Sequence, residues 1–179
     1  MADDVADIVR TARLVMRRLV PDDAQSMFDL DADPEVLRYL PGAPRVSVEE
    51  ARRSLVDYQA IYRDDGFARW AVIEQATGEW LGWCGLRRQP DGEVDVGYRF
   101  RRATWGRGFA TESARASLAY GFDVLELPRI IGTAHPDNAR SIRVLEKIGL
   151  RFEKDTTYEG TPAVLLALAR DEWLAVSRV

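Results

Sequence analysis

The sequence has few of the residues that most often hold metals or crosslink chains. Among 179 residues there is one cysteine, Cys84, and one histidine, His135. A single thiol cannot form an internal disulfide, and a structural zinc site needs about four cysteine or histidine ligands. The composition therefore predicts no metal site and no disulfide framework. It favours a reducing compartment, for which we take the cytoplasm.

Long apolar runs are absent as well, and no stretch of the sequence reaches the length that spans a membrane. The first residues, MADDVADIVRTARL, carry acids where a secretory signal has basic residues. With 25 Lys and Arg against 29 Asp and Glu, the formal net charge is −4, which argues against general nucleic-acid binding. We expect one cytoplasmic domain over residues 1–179, as a monomer or homodimer, with no membrane or nucleic-acid partner.

What the sequence does contain is a mixed order of strands and helices, typical of an α/β (α+β) fold. Strands are predicted at 13–20, 68–75, 79–88, 93–101, 129–134, 150–155 and 163–169, which gives a sheet of about seven strands. Helices are predicted at 22–30, 34–40, 47–64, 109–122, 138–148 and 170–177. Short turns containing Gly and Asp indicate an antiparallel meander among the early strands, and a strand–helix–strand crossover follows it.

The stretch ATWGRGFATES, residues 103–113, places two glycines directly before a predicted helix. Gly106 and Gly108 allow close backbone approach, and the helix start offers free N–H groups and a positive dipole end. A pyrophosphate fits such a place, and Arg101, Arg102 and Arg107 add positive charge nearby. Taken alone, a loop of this kind is more often only structural.

Two common nucleotide-binding loops are excluded by single residues of this stretch. A Walker loop needs a lysine where Phe109 stands, and the dinucleotide fingerprint needs Gly or Ala where Thr111 stands.

A second pattern, HPDNARSIRVLEKIGL, sets Asn138 and Ser141 three residues apart at a helix start, with Lys147 and Gly149 at its end. Helix capping explains part of this pattern, because Asp137 or Asn138 can serve as the N-cap and Gly149 as the C-terminal cap. Helix capping alone does not require all of these residues, because one polar residue at the helix start is sufficient for it.

Together, WGRGFATES and NARSIRVLEKIGL resemble the GNAT superfamily of acyl-CoA-dependent N-acyltransferases. Within it they are most similar to the RimJ/RimL-type branch, named for N-terminal acetyltransferases of ribosomal proteins. The likeness extends through TARLVMRRLVPDDAQSMFDL, WAVIEQATGEWLGWCGL and VDVGYRF to nearly the whole chain. The resemblance implies a GNAT fold with flanking helices, acetyl-CoA as co-substrate, and fourth and fifth strands that splay apart around the pantetheine arm.

The resemblance also implies roles for particular residues. The pyrophosphate would bind the backbone of Trp105, Gly106, Arg107, Gly108, Phe109, Ala110 and Thr111. The pantetheine arm and acyl carbonyl would lie against the backbone of Tyr98, Arg99 and Phe100, with the N–H of Phe100 or a neighbour meeting the oxyanion. Asn138 would bond the pantetheine amides, and Ser141 would lie near the thioester sulfur.

The sequence departs from the family pattern at two positions. Ala103 stands where the loop pattern usually begins with Gln or Arg, so Arg101 or Arg102 is the candidate to meet the phosphates instead. Leu145 stands where many members carry a tyrosine general acid. Ser141 is therefore the candidate to protonate the leaving thiolate, directly or through water, or to act mainly by hydrogen bonding.

Acyl transfer to an amine also needs a base, because most of an α-amine or lysine is protonated at pH 7. The candidates are His135, whose residue type suits general-base catalysis, and the strand acids Asp95 and Glu93. A lone histidine more often has a structural role or is merely exposed, and the strand acids could equally be solvated charges. The predicted reaction is direct attack in a ternary complex, on a protein N-terminus first and a small-molecule amine second. A larger donor such as succinyl-CoA, or a non-catalytic CoA-binding module, stays open as an alternative.

Overall fold

The computed structural model describes residues 7–42, 44 and 47–177, which form an eight-stranded mixed sheet with helices on both faces. The strands are β1 Asp7–Arg10, β2 Leu14–Arg18, β3 Arg69–Glu74, β4 Trp80–Arg88, β5 Val94–Phe100, β6 Arg129–Ala134, β7 Arg151–Tyr158 and β8 Thr161–Ala169. The helices are α1 Ala24–Asp31, α2 Pro34–Leu37, α3 Val48–Asp65, α4 Phe109–Ala119, α5 Ala139–Lys147 and α6 Arg170–Ser177.

The order of the strands across the sheet is β1-β2-β3-β4-β5-β6-β8-β7. Neighbours from β1 to β5 are antiparallel, β5 and β6 are parallel, and β6, β8 and β7 are again antiparallel. The parallel pair is joined by α4, as a parallel connection requires a crossover. The predicted fold class, the antiparallel meander and the crossover are confirmed.

The number of strands corrects the prediction of about seven. The additional strand is β1, Asp7–Arg10, which pairs with β2 through a tight turn. This segment is only four residues long, so it carries too little alternation to be distinguished from an irregular approach to β2.

The helix α3 lies within one residue of its predicted range of 47–64, whereas α2 and α4 end three residues before their predicted ends, at Leu37 and Ala119. Ser47 Oγ accepts a hydrogen bond from the Glu50 N–H at 3.1 Å, so Ser47 is the N-cap of α3. The helix ends at Gly66, whose φ of +81° is a left-handed conformation that favours glycine. Along α3 the buried side chains are Ala51, Leu55 and Tyr62, spaced so that one face meets the sheet.

The core lies in two layers, one on each face of the sheet. One face packs against α1 and α3 through Leu19, Ala24, Met27, Leu30, Ala51, Leu55, Ala71 and Trp80. The other face packs against α4 and α5 through a larger cluster that includes Trp70, Val96, Phe109, Leu118 and Leu145. Cys84 belongs to this second layer. It is 0% exposed with its Sγ 3.6 Å from Ser117 Oγ, and burial raises the pKa of its thiol.

Across residues 7–42, 44 and 47–177, none of the helices combines the length and apolar character that a bilayer span requires. Within the same ranges, no group of three or more His, Cys, Asp and Glu side chains is arranged to hold a metal ion.

Candidate functional site

The sheet opens between β5 and β6. Among the described residues these parallel strands pair at one position, Asp95 opposite Ile131, whereas β5 pairs with β4 along its whole length. Past Asp95 the two strands diverge and border a cleft of about 1060 Å³. The cleft is also lined by residues of α2, the loop before α4, α5 and the β7–β8 turn. The splayed strands implied by the family resemblance are therefore present.

The backbone of β5 presents alternate residues to this opening. The Arg101 N–H donates to the Leu81 carbonyl at 2.9 Å, which sets the phase of the β4–β5 ladder. With that phase, the N–H and C=O groups of Tyr98 and Phe100 point away from β4 and toward the opening, whereas those of Arg99 point toward β4. The Phe100 carbonyl accepts from the Trp105 indole N–H at 2.9 Å. The Phe100 N–H therefore faces the cleft, as its predicted role requires.

The glycine loop forms the wall of the cleft before α4. Gly106 and Gly108 have φ of +78° and +82°, a conformation that side-chain-bearing residues rarely adopt. Gly108 precedes α4, and Phe109, Ala110 and Thr111 follow it in the lining of the cleft. The N–H groups of this first helical turn have no intrahelical acceptors. The loop thus has the donors and the helix end that an anion needs.

A carboxylate clamp holds this loop to the start of β2. Glu112 accepts hydrogen bonds from Thr11 Oγ1 at 2.6 Å and from Arg13 Nε at 2.7 Å, and Arg13 Nη1 donates to the Arg107 carbonyl at 3.0 Å. Partial burial by itself would raise the pKa of Glu112, but the bonds from Thr11 and Arg13 outweigh it and lower the pKa. The first turn of α4 is therefore fixed from outside the cleft.

Three arginines predicted to meet phosphates do not line the cleft. Each forms an ion pair with a carboxylate: Arg101 with Glu79 at 3.5 Å, Arg102 with Asp33 at 3.0 Å, and Arg107 with Glu74 at 2.7 Å. Their side chains are thus engaged elsewhere, although the backbone of Arg107 remains part of the loop. A phosphate contact by these side chains stays a prediction that their placement does not favour.

The cleft is lined by three cations of α5 for which the sequence predicts no contact with the phosphates. They are Arg140, Arg143 and Lys147, at steps of three and four residues and so on one face of the helix. The Arg140 guanidinium lies 5.4 Å from the ring centroid of Trp105. No carboxylate of the described residues pairs with any of the three. The spacing of these three residues is visible in the sequence, but a charged face of a helix usually indicates only that this face is exposed to solvent.

Asn138 and Ser141 meet at the start of α5, as predicted, and Tyr98 of β5 joins them. Asn138 Oδ1 accepts from the Ser141 N–H at 3.1 Å, so Asn138 caps the helix and its Nδ2 donors are not part of the cap. Tyr98 Oη lies 2.9 Å from the Ser141 carbonyl oxygen and 3.0 Å from Ser141 Oγ. Burial raises the pKa of the Tyr98 hydroxyl. The family resemblance implies a role only for the backbone of Tyr98, and the position of its hydroxyl depends on the fold.

Asp95 lies in the cleft wall within a buried ion pair. Its Oδ2 is 2.6 Å from Arg69 Nη2, and its Oδ1 accepts from Gln89 Nε2 at 2.7 Å. Both carboxylate oxygens are thus engaged by donors, and a base role would require the carboxylate to give up part of its pairing with Arg69. Its role as base stays a prediction. Glu93, the other strand acid, pairs with Arg129 at 3.1 Å and does not line the cleft.

His135 lies in the cleft wall, with its ring 5.4 Å from that of Tyr39. Its Nδ1 accepts a hydrogen bond from the Asp137 N–H at 3.1 Å. In the neutral ring the proton is therefore on Nε2. That nitrogen can then donate a hydrogen bond but cannot accept a proton from a substrate amine. The predicted base role of His135 stays a prediction and would require this bond to rearrange.

Comparisons with known proteins agree with this geometry. Residues 13–151 match the family model described as "Acetyltransferase (GNAT) domain". The "Uncharacterized N-acetyltransferase p20" of Bacillus licheniformis is 33% identical over 147 residues, covering 81% of this chain and 82% of that protein.

Solved structures show the same fold. The structure of the acetyltransferase (GNAT family) from Bacillus anthracis matches with a TM-score of 0.78 and 25% identity. The match covers 92% of this chain and 99% of that chain. The ribosomal-protein-S5-alanine acetyltransferase from Vibrio fischeri also has a TM-score of 0.78, over 92% of this chain and 97% of its own. Its identity is 17%, so this second likeness shows the fold alone.

Proposed function

The chain belongs to the GNAT acetyltransferase family and is an acyl-CoA-dependent N-acyltransferase, and from this premise we propose that it moves the acetyl group of acetyl-CoA to a primary amine. The observation that carries the proposal is the opening between β5 and β6. It joins a glycine loop and a cationic helix face to a cleft large enough for both substrates.

The proposed donor position follows the donors and charges of the cleft. The pyrophosphate lies against the loop from Trp105 to Thr111, and Arg143 and Lys147 of α5 supply positive charge. The pantetheine arm occupies the opening beside β5, where the Nδ2 donors of Asn138 meet its amides. This order would place the thioester near Phe100 and Ser141, both of which line the cleft.

The proposed reaction is direct attack in a ternary complex. The amine nitrogen bonds to the thioester carbon while the Phe100 N–H donates to the oxyanion. When the C–S bond breaks, its electron pair stays on sulfur, and Ser141 supplies the proton directly or through water. The buried Cys84 thiol is unavailable as an acyl carrier, which supports transfer without a covalent intermediate.

The proposed acceptor enters from the opposite side of the sheet opening. On that side, Trp83 packs on the cluster formed with α1 and α3, and Arg99 pairs with Asp31 of α1; both residues line the cleft. A protein N-terminus is the first candidate, because an α-amine loses its proton nearer to neutral pH than a lysine does, and it needs less help from a base. A small-molecule amine is the second. We propose His135, Asp95 or an ordered water as the base.

We further propose that residues 1–179 form one GNAT domain of the RimJ/RimL-type branch, working in the cytoplasm as a monomer or homodimer. The support is the motif resemblance together with a single continuous sheet.

The test is thiol release by the purified protein, with acetyl-CoA and succinyl-CoA offered against peptides with free N-termini, their N-terminally blocked forms, and small polyamines. We expect turnover with acetyl-CoA that depends on a free amine. Equal or faster turnover with succinyl-CoA would transfer the proposal to a larger donor. Tight CoA binding without turnover on any amine would contradict the proposed reaction.

A further inference from the structure

Tyr98 and Ser141 form a hydroxyl pair at the inner end of the cleft. Tyr98 is on β5 and Ser141 is on α5, so the pair bridges the two elements that border the opening. Tyr98 Oη is 2.9 Å from the Ser141 carbonyl oxygen and 3.0 Å from Ser141 Oγ. Both residues line the cleft.

The protons of this pair can be counted. A carbonyl only accepts, so the 2.9 Å contact uses the single proton of Tyr98, and the 3.0 Å contact then uses the proton of Ser141. In this arrangement neither proton is directed at a ligand. Rotation of the Tyr98 O–H toward Ser141 Oγ reverses the second bond without moving a heavy atom. It frees the Ser141 proton for the cleft.

The Ser141 carbonyl does not depend on Tyr98. As a residue of α5, Ser141 also has its carbonyl bonded by the Leu145 N–H in the regular helical pattern. The bond from Tyr98 is therefore an additional one, and its transfer to Ser141 Oγ leaves no buried carbonyl without a donor.

We propose that Tyr98 is a positioning residue that donates to Ser141 Oγ while the Ser141 hydroxyl donates to the leaving sulfur. The proposal rests on the donor position of the proposed function. In the step, the C–S bond breaks, sulfur keeps the electron pair, and the Ser141 proton moves to sulfur. Ser141 Oγ regains a proton from the nitrogen of the new amide, so the products are the amide and CoA thiol.

Tyr98 keeps its own proton throughout this step. Its buried hydroxyl resists ionisation, which agrees with its raised pKa. Its contribution is the hydrogen bond to an oxygen that gains negative character as its proton leaves. A donor that polarises a hydroxyl in this way makes that hydroxyl a stronger donor.

The first test is the variant Tyr98→Phe, which keeps the ring and removes Oη. We expect kcat to fall about tenfold, the effect of one hydrogen bond to a developing charge, with the KM for acetyl-CoA unchanged within about twofold. In a Ser141→Ala background the same change should have no effect, because Tyr98 acts through Ser141. Tyr120→Phe, a partly buried tyrosine outside the cleft, is the matched control for loss of a phenol hydroxyl.

A second test needs no acceptor. Calorimetry compares the affinities of CoA and desulfo-CoA for wild type and Tyr98→Phe. We expect wild type to prefer CoA, and Tyr98→Phe to lose most of that preference.

The proposal would be overturned by a fall in kcat that persists in the Ser141→Ala background, or by an identical CoA preference in both proteins. A rise in KM without a fall in kcat would also overturn it, because that pattern indicates a packing role. If no amine is acetylated but Tyr98→Phe still loses the preference for CoA, the proposed reaction fails and the assignment of Tyr98 stands.

Discussion

At the scale of single residues, the side chain of Arg69 on β3 explains why position 97 on β5 is a glycine. A Cβ at this position would lie 2.6 Å from Arg69 Nη2, so a side chain here would displace the guanidinium from Asp95. The sequence predicts Gly97 only as a member of a polar strand face. The reason for the glycine is the position of Arg69 on β3, which pattern reasoning along β5 does not reveal.

The Arg69–Asp95 pair gives a prediction for stability. Asp95→Asn keeps the shape but leaves the buried Arg69 charge without its counter-ion, and we expect a loss of about 3 kcal/mol in the free energy of unfolding. Glu153→Gln removes an ion pair between Glu153 and Arg129, whose two side chains are 39% and 36% exposed, so solvent screening should make its loss clearly smaller. Urea unfolding of both variants measures the difference. Equal losses would mean that burial does not determine the value of the pair.

At the scale of elements, the Glu112 clamp between β2 and α4 gives a pH-dependent prediction. Because the pKa of Glu112 is lower in the folded protein, the carboxylate stabilises the fold above its unfolded pKa. That contribution is lost as pH falls through the folded pKa. We expect Glu112→Gln to cost about 1–2 kcal/mol at neutral pH.

The measurement for this prediction is denaturant unfolding of wild type and Glu112→Gln from pH 7 to pH 3. The difference in the free energy of unfolding between the two proteins should be largest at neutral pH and should shrink below about pH 4.3. Glu146→Gln, an exposed glutamate on α5, is the control and should show no such trend. A difference that stays constant with pH would show that the clamp does not act through its charge.

The cationic face of α5 gives the third prediction. Arg143→Gln combined with Lys147→Gln should raise the KM for acetyl-CoA roughly tenfold with kcat unchanged, and added salt should reduce the difference from wild type. Arg53→Gln, on the exposed face of α3, is the control for loss of a positive charge. Steady-state kinetics at two ionic strengths measures the KM of each variant and its dependence on salt.

Arg102→Gln tests the competing sequence-based prediction. If it raises the KM more than the α5 pair does, Arg102 leaves Asp33 to meet the phosphates.

Most of the element order could be predicted from the sequence, because each prediction rests on local signals. Ser47 and Gly66 delimit α3, and the turns around Gly78 and Gly92 delimit β4. The alternation of β5 predicted the strand but not the buried pair on its polar face, because Arg69 comes from another strand. The loop backbone at Gly106 was predicted, whereas the engagement of the neighbouring arginines depends on carboxylates that only the fold brings near.

At the scale of the whole molecule, the sheet consists of two parts that pair at one position. Strands β1–β5 form one part and β6, β8 and β7 the other, and among the described residues Asp95–Ile131 is their only strand pairing. The helix α4 packs against β4 and β5 and connects the two parts. A ligand in the opening would bridge parts that the backbone ladder leaves largely separate.

This arrangement predicts strong stabilisation by the donor. At a CoA concentration about 100 times its Kd, mass action adds about 2.7 kcal/mol, and the melting temperature should rise by about 5–10 °C. Amide exchange should slow most at β5 and β6. Thermal shift and hydrogen exchange measure both effects, and the Arg143→Gln, Lys147→Gln double variant should show a smaller shift at the same CoA concentration. Protection confined to surface loops would contradict binding in the opening.

The burial of Cys84 makes the chain its own reporter of unfolding. With one cysteine in the sequence and 0% exposure of that residue, a thiol reagent can modify the protein only after the α4 layer has opened. The labelling rate in mild denaturant therefore reads out the opening of this layer, without an introduced probe. Because of the same burial, the folded protein contributes no signal to an assay that measures CoA thiols. Any thiol detected while the fold is intact therefore comes from CoA.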